Sequence, residues 1–215
     1  MNIDANRLIG IILGFLIGTT IHEFMHAYTA VRLGDNTPLR EGRVTLNPIA
    51  HFDAFGAILF VLLALGIAQF AYGKPVMVNP MALRGGRRGM MLVAAAGPLS
   101  NLVLGAVLAI PFRFGTYASL PPAVGEVLGW MVYVNFLLFV FNLIPLPPLD
   151  GFTVLTGVVS HQWSLLLEPI RRYGPAIFLA LIFLPGYFHL NLIGRITQPF
   201  FDLLSAVFAG GRLSL

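Results

Sequence analysis

The sequence predicts an all-α polytopic membrane protein with about five transmembrane helices, a re-entrant apolar segment and short membrane-associated β-strands. Of the 215 residues, 57% are hydrophobic and only 10% are charged, whereas soluble domains are about 25% charged. The mean hydropathy is +0.84, and Lys and Arg cluster in loops between apolar stretches long enough to cross a bilayer. We expect one membrane-embedded domain over 1–215, with a motif-bearing core over about 7–151 and C-terminal helices over about 152–215.

Five apolar stretches are predicted to cross the membrane. In chain order they run from about Arg7 to Arg32, Met90 to Phe112, Gly125 to Ile144, Ile170 to Leu184 and Leu192 to Ala209. A further stretch, Ala54–Tyr72, is also apolar and has 19 residues. By length alone it could span the bilayer, or it could dip into it and return to the same face.

The distribution of charge bears on the path of Ala54–Tyr72. If this stretch re-enters, ten of the thirteen Lys and Arg residues fall on one face of the membrane, whereas a span divides them far more evenly. The positive-inside rule therefore favours re-entry, with the N-terminus outside and the C-terminus in the cytoplasm. Re-entrant backbone must be satisfied by protein or water. We predict short strands at Arg43–Leu46 and Lys74–Pro80, each ended by Asn-Pro, which could pair with each other or with a bound peptide.

The first predicted span carries the motif His22-Glu23-x-x-His26 in its C-terminal half. Residues four apart lie on one face of a helix, so His22 and His26 can offer two imidazoles to one metal ion. Glu23 borders that face and can reach a water at the metal without being a ligand. This is the zinc-hydrolase arrangement, with the Glu as general base. The alternative is a hydrogen-bonded polar cluster between helices, which needs no particular spacing.

A catalytic zinc site needs a third protein ligand and an open position. The chain has no Cys, so every ligand must be His, Asp or Glu. Asp150 is the best candidate because it follows a predicted span and a break that contains Pro145, Pro147 and Pro148. An equal alternative is that Asp150 caps the next helix, with Asp-Gly forming a turn.

Three motifs together resemble those of the site-2 protease family, the intramembrane zinc metalloproteases of peptidase family M50. They are HEFMH near the N-terminus, GPLSN in a later span and NLIPLPPLDG after the next span, and they occur in family order. The stretches GRVTLNPIAHFD and KPVMVNP are similar to the compact prokaryotic branch. The resemblance implies one zinc ion held by His22, His26 and Asp150, and a water activated by Glu23.

The resemblance also implies that Asn101 and Asn142 hold the substrate or the oxyanion. The alternative for both is hydrogen bonding between helices. His51 could line the cleft, bind the metal in a resting state or contact lipid head groups. It could equally be a loop residue paired with Asp53 or with a backbone carbonyl.

The expected partners are a transmembrane protein or peptide substrate and the lipid bilayer. A net charge of +4 is no signature of nucleic-acid binding, and the oligomeric state stays open. We expect a multi-pass protein of a prokaryotic plasma membrane with its active site toward the cytoplasm. The chain shows neither a span before the HExxH helix nor room for a PDZ domain, so its mode of substrate recognition is open.

Two other functions compete with proteolysis. A metal or proton transporter could use the same ligands, but it would need polar residues along a full crossing, and here they cluster toward one face. A catalytically silent binding protein of the same fold would have no need of a general base, and Glu23 is present.

Overall fold

The computed structural model describes residues 4–64, 71–187 and 192–211. These ranges contain α-helices, two short 3₁₀ helices at Pro48–His51 and Thr116–Ser119, and a π-helical turn at Ser205–Ala209. The α-helices are α1 (Ala5–Arg32), α2 (Thr37–Arg40), α3 (Ala54–Ala64), α4 (Arg87–Leu108), α5 (Ile110–Arg113), α6 (Pro122–Asn142), α7 (Asp150–Val158), α8 (His161–Leu166), α9 (Glu168–Tyr187) and α10 (Leu192–Leu204).

Three of the described helices, α1, α4 and α6, are long and apolar enough to cross a membrane, and all three pack against one another. Near the starts of α1 and α6, the Asn6 amide donates to the Glu126 carboxylate at 3.0 Å. At the other end, the guanidinium of Arg84, just before α4, donates to the carbonyl of Arg32 at 2.6 Å. Helices α1 and α6 therefore run parallel, and α4 runs in the opposite direction.

The structure supports three of the five predicted spans within the residues it describes. Helix α9 begins with Glu168, Arg171 and Arg172, which lower the hydropathy of its first turns. Helix α10 has 13 residues before the π-helical turn, fewer than the roughly 20 that a bilayer-spanning helix needs. Both predicted C-terminal spans are helical, but neither reaches the length and apolarity of α1, α4 and α6.

Small residues let α1 and α6 approach closely. Gly10, Gly14 and Gly18 recur every fourth residue and so lie on one face of α1. A Cβ on Gly10 would lie 2.5 Å from Cβ of Trp130, and a Cβ on Gly14 would lie 3.0 Å from Cα of Met131. Such stripes bring helix backbones together in membranes, and this one fixes the position of the motif-bearing turn of α1 against α6.

A buried apolar cluster lies at the end of the bundle opposite the motif. Val132 and Phe136 of α6 pack there against Ala109, Phe201 and Ala209. This cluster holds α10 and the π-helical turn against α6, while the C-terminal turns of α1 face the opposite half of the bundle.

The prediction of strands at Arg43–Leu46 and Lys74–Pro80 is wrong: both segments are irregular in the structure. In the second segment, the amide of Lys74 donates to the carbonyl of His51 at 2.8 Å. The amides of Val76 and Asn79 donate to side-chain carboxylates instead. Because these amides are bonded to single, separate acceptors, no ladder joins the two segments.

The apolar stretch Ala54–Tyr72 lies partly in α3, whereas residues 65–70 fall outside the described ranges. Its two ends meet. The hydroxyl of Tyr72 donates to the carboxylate of Asp53 at 3.4 Å, and a Cβ on Gly56 would lie 2.7 Å from the carbonyl oxygen of Tyr72. The chain therefore departs at Asp53 and returns at Tyr72 to a position next to Asp53.

Candidate active site

The structure brings together the three predicted metal ligands, two from α1 and one from the start of α7. Nε2 of His22 lies 3.0 Å from Nε2 of His26. Oδ2 of Asp150 lies 3.1 Å from the first nitrogen and 3.3 Å from the second. Both imidazoles are buried, and the carboxylate is more accessible. Three potential ligand atoms thus converge on one point inside the helix bundle.

The proline-rich break after α6 delivers Asp150 to this point. Helix α6 ends at Asn142, and Leu149, in extended conformation, precedes the first turn of α7. Gly151, which follows Asp150, packs so closely on the Leu143 carbonyl that no side chain fits there. The helix cap is Leu149 rather than Asp150, so the Asp150 carboxylate is free to face the two imidazoles.

The second nitrogen of each imidazole is held by an acceptor. Nδ1 of His26 lies 2.7 Å from the carbonyl oxygen of Val93, and a carbonyl can only accept. Nδ1 of His22 lies 2.7 Å from Oδ1 of Asn101. Both histidines therefore carry hydrogen on Nδ1, which leaves a lone pair on each Nε2 for a metal. Outer partners of this kind orient the ligands of metal sites.

Asn135 was not singled out in the sequence, yet it completes this arrangement. Nδ2 of Asn101 donates to the Gly18 carbonyl at 3.0 Å and to Oδ1 of Asn135 at 3.2 Å. Nδ2 of Asn135 donates in turn to the Met131 carbonyl at 2.9 Å. The carbonyls fix the direction of both amides, so Oδ1 of Asn101 must face His22. The available signal was a polar Asn within an apolar span.

The donor set and the space around it fit zinc. Ligand atoms at zinc-bond lengths of about 2.0–2.2 Å and tetrahedral angles lie about 3.3 Å apart, close to the separations found here. The position facing the two imidazoles on α4 is Gly97, and a Cβ there would lie 2.7 Å from Nε2 of His22. Any side chain at this position would intrude on the ligand atoms, so the glycine keeps the metal position open.

Glu23 lies beside this group without joining it. Its Oε2 accepts a hydrogen bond from the amide of Val76 at 3.2 Å. Glu23 lines a cavity of about 370 Å³ together with the metal-ligand group, Asn142 and the segment from Tyr72 to Val78. A carboxylate, three potential ligands and an amide side chain therefore share one space large enough for a short stretch of peptide.

The remaining predicted site residues lie in different surroundings. Asn142 borders the cavity, and its Nδ2 donates to the Leu138 carbonyl at 2.9 Å. Asn101 is fully buried and contacts His22 rather than the cavity. His51 is also fully buried and its Nε2 lies 2.7 Å from the carbonyl oxygen of Thr45. His51 lies at the end of the 3₁₀ helix Pro48–His51, and its contact is with a backbone carbonyl, as in one of the alternatives predicted for it.

Comparisons with known proteins identify relatives of this chain. Residues 117–185, which include Asn142 and Asp150, match the family model described as Peptidase family M50. The chain is 32% identical over 206 residues to a Bacillus subtilis (strain 168) protein named "Putative zinc metalloprotease YwhC", with 92% of each chain covered. It is 30% identical over 213 residues to a Mycolicibacterium smegmatis protein named "Putative zinc metalloprotease Rip2", covering 95% of this chain and 79% of that protein.

No solved structure is significantly similar to the chain. The match to the Bacillus subtilis relative nevertheless extends over nearly the whole of both sequences. The chain therefore belongs to peptidase family M50, the site-2 protease family.

Proposed function

We propose that this protein is an intramembrane zinc metalloprotease that hydrolyses peptide bonds of membrane-spanning substrates. The observation that carries the proposal is the convergence of His22, His26 and Asp150 beside Glu23 in a cavity among apolar helices. Ion-binding side chains are costly within a bilayer, so their concentration at one point favours a functional site over a structural one. The names of the relatives favour zinc as the metal.

In the proposed reaction, the two imidazoles and the Asp150 carboxylate hold one zinc ion. When bound there, zinc lowers the pKa of a coordinated water toward 7 and polarises a carbonyl oxygen. Glu23 takes the proton of the attacking water on its carboxylate and returns it to the leaving amine. Among the described residues, its carboxylate accepts a hydrogen bond only at Oε2, from the Val76 amide, and Oε1 is available for that proton.

The two asparagines of the family motifs take different roles in this proposal. Asn142 borders the cavity and has a second amide hydrogen beyond the one given to Leu138, so it can donate to the oxyanion. Asn101 is enclosed by Gly18, His22 and Asn135. We propose that Asn101 acts on the substrate only indirectly, by orienting His22.

The substrate would lie extended along the segment that borders the cavity. Within the described parts of the chain, the amides of Met77 and Val78 have no hydrogen-bonding partner. A substrate must unwind its own helix before its peptide bonds can be attacked, and free amides of this kind could pair with the exposed backbone. Val76 in the same segment contacts Glu23, so a peptide paired with this segment would lie next to Glu23, the proposed general base.

We propose that the site faces the cytoplasm of a prokaryotic plasma membrane. The motif lies toward the end of α1 at which Arg32 and Arg84 meet, and basic residues favour the cytoplasmic face. The contact of Asp53 with Tyr72 supports re-entry of the apolar stretch between them. The lipid bilayer and a transmembrane protein or peptide are then the partners.

The test uses the full chain purified in detergent and returned to lipid vesicles. Wild-type protein should bind about one equivalent of zinc and cleave a membrane-spanning peptide, and chelation should abolish cleavage until zinc is restored. Glu23→Gln is the matched control, because it preserves the ligands and removes the base. Zinc binding without cleavage of any spanning peptide by wild type, or equal cleavage by Glu23→Gln, would overturn the proposal.

A further inference from the structure

Arg43 is a buried arginine that bridges two loops beside the cavity. Its side chain is only 3% exposed. One guanidinium nitrogen donates to the carbonyl of Ala50 and the other donates to the carbonyl of Lys74. Ala50 and Lys74 are 7 and 31 residues away from Arg43 in sequence, so one side chain joins two segments that lie before and after α3.

The segment held by Arg43 is the one that passes Glu23. The amide of Lys74 donates to the carbonyl of His51 at 2.8 Å, so Lys74 is fixed through both of its backbone groups. Two residues later, Val76 reaches Glu23. At the far end, the amide of Asn79 donates to the carboxylate of Asp35 at 2.7 Å. The backbone that borders the cavity is therefore anchored at Lys74 and at Asn79.

The hydrogen bond that anchors Asn79 to Asp35 is strengthened by the charge of the Asp35 carboxylate. Asp35 is buried, which raises the pKa of its carboxyl, but hydrogen bonds from Thr37 and Asn79 lower that pKa more strongly, so that it lies below its usual range. The carboxylate is therefore charged at neutral pH and binds the Asn79 amide as a charged acceptor.

Arginine suits the anchor at Lys74 for a geometric reason. A buried charge is costly unless its hydrogen bonds are made, and Arg43 forms no ion pair in the described part of the chain. Its two terminal nitrogens donate to two carbonyls, which its planar fork can reach at once, whereas its buried Nε has no hydrogen-bonding partner in the described part of the chain. A lysine ammonium is a single point and cannot span the two. A hydrophobic side chain could fill the space but could not tie the loops.

We propose that Arg43 is a positioning residue that fixes the segment 74–79 beside Glu23 and thereby aligns the substrate backbone. This inference rests on the proposed protease function. Arg43 does not touch the reacting atoms, and it acts through the Lys74 carbonyl. Without it, the segment would remain attached through the Lys74 amide and Asn79, but the Lys74 carbonyl would be released and the backbone next to Val76 would be held less firmly beside Glu23.

Enzyme kinetics can distinguish a positioning role of Arg43 from a role in the stability of the fold. Loss of folded protein lowers the active fraction and hence the apparent kcat, while KM stays constant. A loosened substrate-binding backbone weakens pairing with the peptide, so KM rises while the zinc site is unchanged. We expect Arg43→Met to raise KM for a spanning peptide at least about tenfold, as for loss of a charge-assisted hydrogen bond. Arg43→Lys should fall between wild type and Met.

The control is Arg88→Met, which removes an exposed arginine on α4. The first measurement is zinc content, which should be equal in all four proteins. The second is hydrogen exchange of residues 71–79 by mass spectrometry, in which the amides of Lys74 and Val76 should exchange at least about tenfold faster in Arg43→Met. Arg88→Met should match wild type in exchange and in KM.

The exchange measurement needs no catalysis, so it tests the anchor even if the protease proposal fails. Unchanged exchange and unchanged KM in Arg43→Met would overturn the inference. Loss of zinc would show that Arg43→Met fails to fold. In that case Arg43→Lys is the test, and an unchanged exchange rate and KM in this variant would also overturn the inference. Faster exchange together with wild-type cleavage would leave Arg43 as a structural anchor only and would refute the positioning role.

Discussion

The imidazole of His22 donates its Nδ1 hydrogen to Oδ1 of Asn101 across 2.7 Å, and both side chains are buried. The contact joins α1 to α4 at the centre of the site. It leaves only Nε2 of His22 to bind a metal, because the nitrogen that carries hydrogen is already committed. Asn101 is thereby a partner of a proposed metal ligand, and this relationship leads to the first prediction.

Removal of the Asn101 amide should weaken zinc binding. Asn101→Ala deletes the acceptor that orients His22, and loss of such an outer partner costs about 10–100-fold in metal affinity. The measurement is zinc retained against a graded series of competing chelator. Asn142→Ala is the control, since in the described part of the chain Asn142 forms no hydrogen bond with either histidine, and this variant should retain zinc as wild type does. Equal zinc affinity in Asn101→Ala and wild type would refute the orienting role.

Removal of the proposed third ligand, Asp150, should have a larger effect. Asp150→Ala should lose most of its bound zinc, whereas Glu23→Gln should keep it, because Asp150 belongs to the group of potential ligands and Glu23 does not. Metal analysis of both purified variants tests this difference. Full zinc occupancy in Asp150→Ala would remove Asp150 from the ligand set.

Gly97→Ala should also lose zinc, although alanine favours helix formation over glycine by about 1 kcal/mol. The new Cβ would lie 2.7 Å from Nε2 of His22, so the metal position closes while the helix itself gains. Gly125→Ala in α6 is the matched control, because nothing lies within 4 Å of the new Cβ. Zinc content and thermal unfolding should separate the two variants. Normal zinc content in Gly97→Ala would contradict the assigned metal position.

Asn142→Ala tests the proposed oxyanion donor. Its kcat should fall roughly 10²–10³-fold, the usual loss for one such donor, with zinc content and unfolding temperature unchanged. If Asn142 only ties helices together, the variant should instead unfold at a lower temperature and keep its specific activity. Kinetics and thermal unfolding on the same sample distinguish the two results.

The path of the chain can be tested by labelling, since the protein has no cysteine of its own. Single cysteines at Asn36 and Met81, which flank the two ends of the segment between α1 and α4, should label from the same side of the membrane. A cysteine at Phe114, which is 75% exposed at the other end of α4, should label from the opposite side. Labelling of Asn36 and Met81 from opposite sides would mean that Ala54–Tyr72 spans the bilayer.

The sequence was sufficient for the parts of the site that depend on local spacing. His22 and His26 are four residues apart on a helix, so their convergence follows from helix geometry. Asp150 was identified because a proline-rich break after a span leaves few other acids within reach. The first three predicted spans also correspond to the three candidate membrane-spanning helices among the described residues.

The rest of the site depends on contacts between distant segments. The alternation at Arg43–Leu46 suggested a strand, but the irregular backbone there presents Arg43 to two carbonyls. Polar–apolar alternation predicts a strand only where a neighbouring edge is free to pair, and the amides of Lys74 and Val76 are already bonded elsewhere. Asn135 could not be assigned a role either, because its partner Asn101 is 34 residues away.

The contact between Asp53 and Tyr72 has an evolutionary consequence. Because the chain departs and returns at adjacent points, the stretch between them can change in length without displacing the Val76 amide or the Glu23 carboxylate. The cost of lengthening a closed loop grows only slowly with the number of residues. Insertions between these two residues could therefore accumulate among relatives while the proposed catalytic residues keep their positions.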